Sequence, residues 1–504
     1  MHQISYVLSK KDFSNTSMTE LLSNKDLLKT QGYINGTWIS APDGLTFEVI
    51  NPGNGQVLAK VAELGPNEVK EAAIAASKSF ESFKLFSPRS RSDLLKKWNE
   101  KILQNLDDLA KLISLENGKA FSDSLGEVKY AASYLEWYAE EAPRIYGDTI
   151  STLNPSNRTY TIRQPIGVCA FITPWNFPAA MITRKIGAAI AAGCSVIIKP
   201  GAETPLTALA LAHLAELAGV PSGVVNVVTT QWNTRKVGLE LCKNKLIKKL
   251  SFTGSTATGK TLMEQCSSSL KKLSLELGGN APFIVFGDAD LDCAIEGLIA
   301  SKFRVSGQTC VCANRIFVHQ SVYDDFVEKL VAYVKKFNVG YGLDSNVTHG
   351  PLIHQAALEK VDMHVSDAAS KGAKILIGGQ ALSQFGSNYY SPTVLTEVTT
   401  EMLCTKEETF GPVAPIIRFN DDAEVINKAN DTDVGLAGYF YTRDVSRAYR
   451  VAEALEVGMV GVNVGVISDS ALPFGGVKES GFGREGSKYG IDEYLVVKAV
   501  TVGI

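Results

Sequence analysis

The segment FRVSGQTCVCA, residues 303–313, sets a thiol, Cys310, among small and polar residues, with a second thiol, Cys312, two positions on. A cysteine reacts as its thiolate, so one that can be reached, at the joint between a helical run and a strand, is a candidate nucleophile. An inert, buried cysteine is the common alternative. Other segments carry the groups such a nucleophile would use. In LSLELGGNAP (273–282), Glu276 ends an apolar strand-like run just before two glycines. A carboxylate beside buried apolar surface holds its proton more tightly, which suits a general base. In FITPWNFP (171–178), two prolines fix a turn that presents Trp175 and Asn176. A side-chain amide held rigidly there can donate to an oxyanion. Both also have plain readings, Glu276 as a strand-end carboxylate and Asn176 as a helix cap. KEETFGPVAP (406–415) and the glycine-rich 466–486 stretch either line a site or simply connect elements.

A rival chemistry is written in GSTATGKT (254–261), which matches the phosphate-loop pattern GxxxxGK[ST] letter for letter. On that reading Lys260 would hold phosphates, Thr261 a magnesium ion, and Asp288 would assist it, making the chain a nucleotide triphosphatase. The other reading has Gly254 and Ser255 cradling a dinucleotide pyrophosphate, with Lys260 a solvated helix lysine. Both use backbone amides at a helix start. A phosphate loop usually follows the first strand of its domain, and here four strand-like runs come earlier in the chain.

The elements that must position these groups are legible in the pattern. From 168 to 286, β-branched runs alternate with helical ones: strands at 168–173, 195–199, 224–228 and 249–253, helices at about 179–192, 204–217, 234–242 and 256–266. This alternation predicts an α/β fold with a doubly wound parallel sheet, which binds ligands beyond the carboxyl ends of its strands. A helical block at 67–147 precedes it, and a second α/β series runs from 281 to about 463. Between the helical block and the first series, a β segment at 160–164 reads as an arm that the terminal strand, 494–503, would pair with.

Composition bounds the possibilities. At 504 residues the chain exceeds one hydrophobic core, and its 45% apolar and 20% charged content is that of a globular enzyme. A net charge of −3 gives no basic field for nucleic acid. No apolar run reaches membrane-spanning length, and the first thirty residues lack a signal-peptide core, so a cytoplasmic location is expected. Eight scattered cysteines without disulfide or zinc spacing fit a reduced compartment and no metal site.

Taken together, TPWNFP, KP, FTGST, LELGG, FxxxGQxC and EETFGP, in this order from about Tyr33 to Gly503, resemble the aldehyde dehydrogenase superfamily. Within it, MITRK, SKFR, GQTCVCAN and PFGGVKESGFGREGSKYG are most similar to the succinate-semialdehyde dehydrogenases. The resemblance implies a Rossmann-type cofactor domain (1–148 and 168–280), a catalytic domain (281–480) and an oligomerisation arm (149–167 and 487–504). It implies NAD(P)-dependent oxidation of succinate semialdehyde to succinate, as in 4-aminobutyrate degradation, by a homo-dimer or tetramer. Another ω-carboxy semialdehyde, such as glutarate semialdehyde, is the alternative substrate. Cys310 would be the nucleophile, Asn176 the oxyanion donor and Glu276 the base that activates water. The cofactor would lie against Thr173, Pro174, Trp175, Lys199, Ala202, Gly254, Ser255, Glu408 and Phe410. Many NAD-preferring relatives carry a glutamate where this chain has Ala202, with Glu203 one place on. A 2′-phosphate would then meet no like charge, and NADP is expected to be accepted and favoured. Arg184, Arg304 and Ser468 would bind the distal carboxylate of the substrate. Cys312 could close a reversible disulfide with Cys310, although an i,i+2 bridge is strained.

Overall fold

The structure is a computed structural model that describes residues 18–504. The N-terminal tail expected from the first residues lies outside this range up to residue 17. Two sheets organise the chain. The first has eight strands, in the order Thr37–Ile39, Gly32–Ile34, Val225–Val227, Ser195–Lys199, Val168–Ile172, Ile247–Thr253, Lys272–Glu276 and Gly481–Phe482. Its five central strands run parallel. The chain builds outward from Val168–Ile172 in one direction, then returns to its other side with Ile247–Thr253, so the winding reverses between these two strands. That reversal leaves a crevice at their carboxyl ends, because the connecting helices leave on opposite faces.

The register places several of the expected site residues on two adjacent rows across that crevice. Lys199 pairs with Ile172, Ile172 with Phe252, and Thr253 with Glu276. The helix Ala180–Ala192, which follows the first of these strands, is buried along its whole length. Its alanines and isoleucines allow it to sit between the sheet and the long helix Phe121–Glu141.

The second sheet runs Lys374–Ile377, Thr393–Thr396, Val413–Phe419, Ala313–His319, Ala281–Val285, Ala437–Tyr441 and Met459–Val462. Its pairs are parallel except at the first strand. Four residues, 277–280, join the end of the first sheet at Glu276 to the start of the second at Ala281. A three-stranded sheet stands apart, with Leu495–Gly503 antiparallel to Asn157–Pro165 over nine residue pairs and Thr149–Ile150 on the far side.

The segment that carries Cys310 departs from regular structure. The helical run that leads into it is α-helical only for Leu291–Leu298, then loosens to a π-turn over Ile299–Phe303. Val305 and Ser306 follow with φ of 55° and 54°, and Gly307 with φ of 75°. Two non-glycine residues in the left-handed region, one of them β-branched, are strained and persist only when their surroundings over-determine them. Here they do. The Val305 amide donates to Asp123 Oδ2 at 3.0 Å, and the Ser306 hydroxyl donates to the Gly350 carbonyl at 2.8 Å. Gln308 Oε1 accepts from the Ile353 amide at 3.0 Å. Gly307 is required twice over, because a Cβ there would meet the Gly411 carbonyl oxygen at 2.1 Å. Gly307→Ala is expected to destabilise the fold by about 2–4 kcal/mol, through left-handed strain and backbone overlap together. A denaturant midpoint unchanged from wild type would refute this.

Candidate active site

Cys310 is half-buried and forms part of the wall of two cavities. One, of about 180 Å³, is bounded by Trp175, Gly254, Ser255, Glu408 and Phe410. The other, of about 20 Å³, is bounded by Tyr130, Phe177, Arg184, Arg304, Ser468 and Phe474. The thiol stands between a cleft of the size and polarity of a ring-bearing cofactor fragment and a narrow slot lined by two guanidinium groups. Burial pushes its pKa well up, the charge of Glu276 pushes it further, and Arg184 opposes both.

Glu276 is buried at the end of its strand, 4% exposed. One carboxylate oxygen, Oε2, pairs with Arg184, while Oε1 is buried without a hydrogen-bond partner among the described residues. Arg184 is not the surface charge that its place on a helix would allow: it is 1% exposed, and its guanidinium lies 4.3 Å from the Phe474 ring centroid. It also pairs with Glu485, whose other oxygen takes Lys185. Burial disfavours the charge on Arg184, but Glu485 and then Glu276 more than offset it and hold the group protonated. Lys185 further donates to the Thr253 hydroxyl at 2.6 Å. Glu485 and Lys185 escaped the sequence reading. The signal was present in GREG and MITRK, a lone acid in a glycine-rich loop and a second base beside Arg184, but only the fold brings the two segments together.

Asn176 is 4% exposed and does not cap the following helix. That role falls to Glu127, whose Oε1 accepts from the amides of Ala179 and Ala180 at 2.8 and 3.4 Å. Asn176 instead donates from Nδ2 to the Gln308 carbonyl at 3.1 Å, two residues before Cys310. An amide nitrogen carries two hydrogens, so one remains for an oxygen bound at Cys310. Lys119, buried against Glu127, donates to the Asn176 carbonyl at 2.5 Å and fixes the turn.

The residues expected to hold a dinucleotide gather at the strand ends. The Thr173 hydroxyl is buried without a hydrogen-bond partner among the described residues, which leaves a donor and acceptor for a ligand. Lys199 is 6% exposed and, among the described residues, joins no ion pair; burial lowers its pKa, with Glu203 and Glu63 opposing. Ala202 brings no carboxylate, as expected, but Glu203 is the leading charge acting on Lys199, so that neighbourhood is not free of negative charge. Ser255 caps the helix Thr256–Cys266, and with Gly254 it lines the cleft beside Cys310. Trp175 and Phe410 meet edge-on, 5.7 Å apart, and Glu408 Oε1 accepts from the Gly279 amide at 3.2 Å. Burial raises the Glu408 carboxyl to about 7. This donor set, an orphaned hydroxyl, a buried ammonium, a helix start and an aromatic wall, fits a nicotinamide dinucleotide.

The phosphate-loop reading fails. The helix begins at Thr256, so only Gly254 and Ser255 form the loop, and Lys260 and Thr261 lie on the second helical turn. Lys260 is exposed and pairs with Glu479 at 2.7 Å. Gly259 is needed for packing, since a Cβ there would meet Leu277 at 2.5 Å. Asp288 lies beyond the strand Ala281–Val285 of the other sheet and accepts from Thr442, Arg447 and two backbone amides.

On the substrate side, Arg304 joins no ion pair among the described residues, and its Nε is buried without a hydrogen-bond partner. Its guanidinium stands 5.7 Å from the Phe177 ring centroid. Ser468 borders the same slot from the 466–486 stretch. Cys312 faces elsewhere: it is 1% exposed, and its thiol donates to the Lys302 carbonyl at 3.2 Å. A bridge to Cys310 would require this loop to turn over.

Comparison with known proteins follows the same lines. Residues 38–500 match the aldehyde dehydrogenase family. A succinate-semialdehyde dehydrogenase of Saccharomyces cerevisiae, named for NADP(+), is 54% identical over 482 residues, covering 96% of this chain and 97% of that protein. A glutarate-semialdehyde dehydrogenase of Pseudomonas putida is 54% identical over 483 residues, covering 96% of this chain and all (100%) of that one. The crystal structure of an Escherichia coli NADP-dependent enzyme superposes with a TM-score of 0.95 at 53% identity, covering 96% of this chain and 100% of that chain.

Proposed function

Since this chain belongs to the aldehyde dehydrogenase family, we propose that it oxidises succinate semialdehyde to succinate, with NADP or NAD as oxidant. The observation that carries the substrate is Arg304, a guanidinium with no ion pair among the described residues that faces a slot ending at Cys310. The slot, about 20 Å³ as it stands, must widen to seat a four-carbon aldehyde acid, whose carbonyl would then lie at the thiol and its carboxylate at the arginine, where planar forks match. Ser468 adds a hydroxyl donor. A bound nicotinamide dinucleotide supplies the hydride acceptor. The remaining work falls to the chain. Cys310 Sγ attacks the aldehyde carbon, and the free hydrogen of Asn176 Nδ2 donates to the oxygen that becomes negative. Glu276 takes the proton of the water that cleaves the Cys310 thioester.

Lys199, Thr173, Ser255 and Glu408 would hold the dinucleotide. The NADP named for the yeast and bacterial relatives supports acceptance of the 2′-phosphate. The edge strand Leu495–Gly503 pairs with only one neighbour and exposes Val497 and Val502, which supports a homo-oligomer joined through this arm. No helix among the described residues is long and apolar enough to cross a membrane.

Steady-state kinetics with succinate semialdehyde, glutarate semialdehyde and butanal, each with NADP and NAD, test the reading. Arg304→Ala is expected to raise KM for succinate semialdehyde by roughly 100-fold while leaving butanal within about threefold, the loss of one charge-assisted fork. An equal loss for both aldehydes would refute the role of Arg304. Greater efficiency with glutarate semialdehyde would move the substrate one methylene longer.

A further inference from the structure

Arg184 does two things in one place. It forms one wall of the slot that ends at Cys310, and it is the ion-pair partner of Glu276. On the function proposed above, on which this inference rests, the substrate's carboxylate enters a slot with that same guanidinium on its wall. We propose that the substrate's acid end and Glu276 compete for Arg184, so that seating the acid transfers the Cys310 proton to Glu276 and arms the nucleophile.

The arrangement of charges makes Glu276 the partner that gives way. Arg184 binds two carboxylates, but Glu485 keeps a second cation, Lys185, on its other oxygen. Among the described residues Glu276 has no ion pair except that with Arg184. When the guanidinium turns toward a third carboxylate, Glu485 stays compensated and Glu276 does not. A buried carboxylate stripped of its cation takes up a proton if one is within reach. The thiol of Cys310 faces Glu276. Among the described residues Glu276 Oε1 is buried with no hydrogen-bond partner, so an acceptor site is open.

The step balances without any further reagent. The Sγ–H bond of Cys310 breaks, its proton goes to Glu276, and the pair keeps one negative charge throughout, moved from oxygen to sulfur. Glu276 then gives that proton to solvent before the thioester is hydrolysed, which frees its carboxylate to take the proton of water. Other charged and titratable groups around the pair do not change sign in it. Lys185 acts on Glu276 from the same helix as Arg184, and Glu408 acts on both members of the pair from the 406–410 segment. Tyr130 and Tyr134, on the helix Phe121–Glu141, face Arg184 and are kept neutral by burial. Arg304 remains with the substrate. The consequence is that recognition of the acid acts on the chemical step as well as on binding, since an uncharged aldehyde leaves Arg184 with Glu276 and the thiol protonated.

Butyrate tests this, because it has the acid and the chain length of the substrate but no carbonyl to react. Its binding to the full-length enzyme is followed by calorimetry, and the Cys310 thiolate by its ultraviolet absorbance at neutral pH, taken as the difference from Cys310→Ser. Saturating butyrate is expected to raise the thiolate signal by roughly fivefold or more, at the low end of couplings between linked sites. Glu276→Gln should bind butyrate with no rise, and Arg184→Lys, which keeps the charge but not the fork, should show a smaller one. Binding of butyrate to the wild type with an unchanged thiolate signal overturns the coupling and leaves the proposed substrate standing. An equal rise with uncharged butyramide also overturns it, since charge would then play no part. Failure of butyrate to bind at all overturns the carboxylate-reading slot and the coupling with it.

Discussion

Cys310→Ser is expected to lower kcat by roughly 10⁴-fold or more, the scale of loss when a nucleophile is removed, while leaving dinucleotide binding within about twofold. A hydroxyl in this position has the same reach but a far higher pKa, beyond what a carboxylate such as Glu276 can deprotonate. The half-buried thiol is itself hard to ionise. Burial and the neighbouring charge of Glu276 both raise its pKa, and Arg184 only partly offsets them. The sign of the pH effect follows: an acid whose pKa is raised gives its thiolate only as pH climbs past the ordinary thiol range. Alkylation of the wild type by iodoacetamide, without substrate, should therefore be slow at neutral pH and accelerate steadily into the alkaline range. A rate that levels off below neutral pH would show a thiolate already formed, and would contradict the electrostatics of the site. Retention of more than a few per cent of kcat in Cys310→Ser would remove Cys310 from the chemistry altogether.

Glu276→Gln is the second large effect. Steady-state turnover should fall by about 10²- to 10⁴-fold, the range that general-base assistance supplies. The loss should sit in hydrolysis of the thioester. At mildly alkaline pH, where solvent takes the thiol proton, rapid mixing should still show a burst of cofactor reduction of about one equivalent per site, followed by a slow phase. The substitution also removes the like charge beside Cys310, so alkylation of the free enzyme should become faster than in the wild type at the same pH. Slower alkylation of the free enzyme would contradict the electrostatics of the site, and a burst that disappears along with turnover at that alkaline pH would remove Glu276 from hydrolysis. Because the substitution would leave Arg184 with one carboxylate in place of two, thermal melting beside the kinetics separates lost chemistry from lost fold.

The regular part of this molecule could be read directly from the chain. Ser195–Lys199 and Thr256–Cys266 have the bounds that β-branched runs and helical spacing predicted, because burial on both faces of a parallel sheet leaves a continuous apolar run. The terminal strand pairs with the 157–165 strand with Val500 opposite Tyr160, as the two alternating patterns suggested. The family was legible for a related reason. Its motifs sit where strands end, and strand ends are marked locally by glycine and proline.

What the sequence could not supply lies in contacts between distant segments and in backbone held against its preference. GSTATGKT has the letters of a phosphate loop, and only the helix start at Thr256 shows that Lys260 points to Glu479 and not to a phosphate. Asn176 had the type of a helix cap, but Glu127 reaches those amides first. Nothing local predicts left-handed Val305 and Ser306, since their conformation is imposed by Asp123, 182 residues away, and by Gly350. The same holds for the charges. Arg184 was expected at the substrate's carboxylate, but only when the 466–486 stretch folds back and sets Glu485 against it does one guanidinium answer to the base, to a buried acid and to the slot where the substrate ends. Local pattern determined the elements and the reactive residue types. Long-range packing decided which of those residues share a charge.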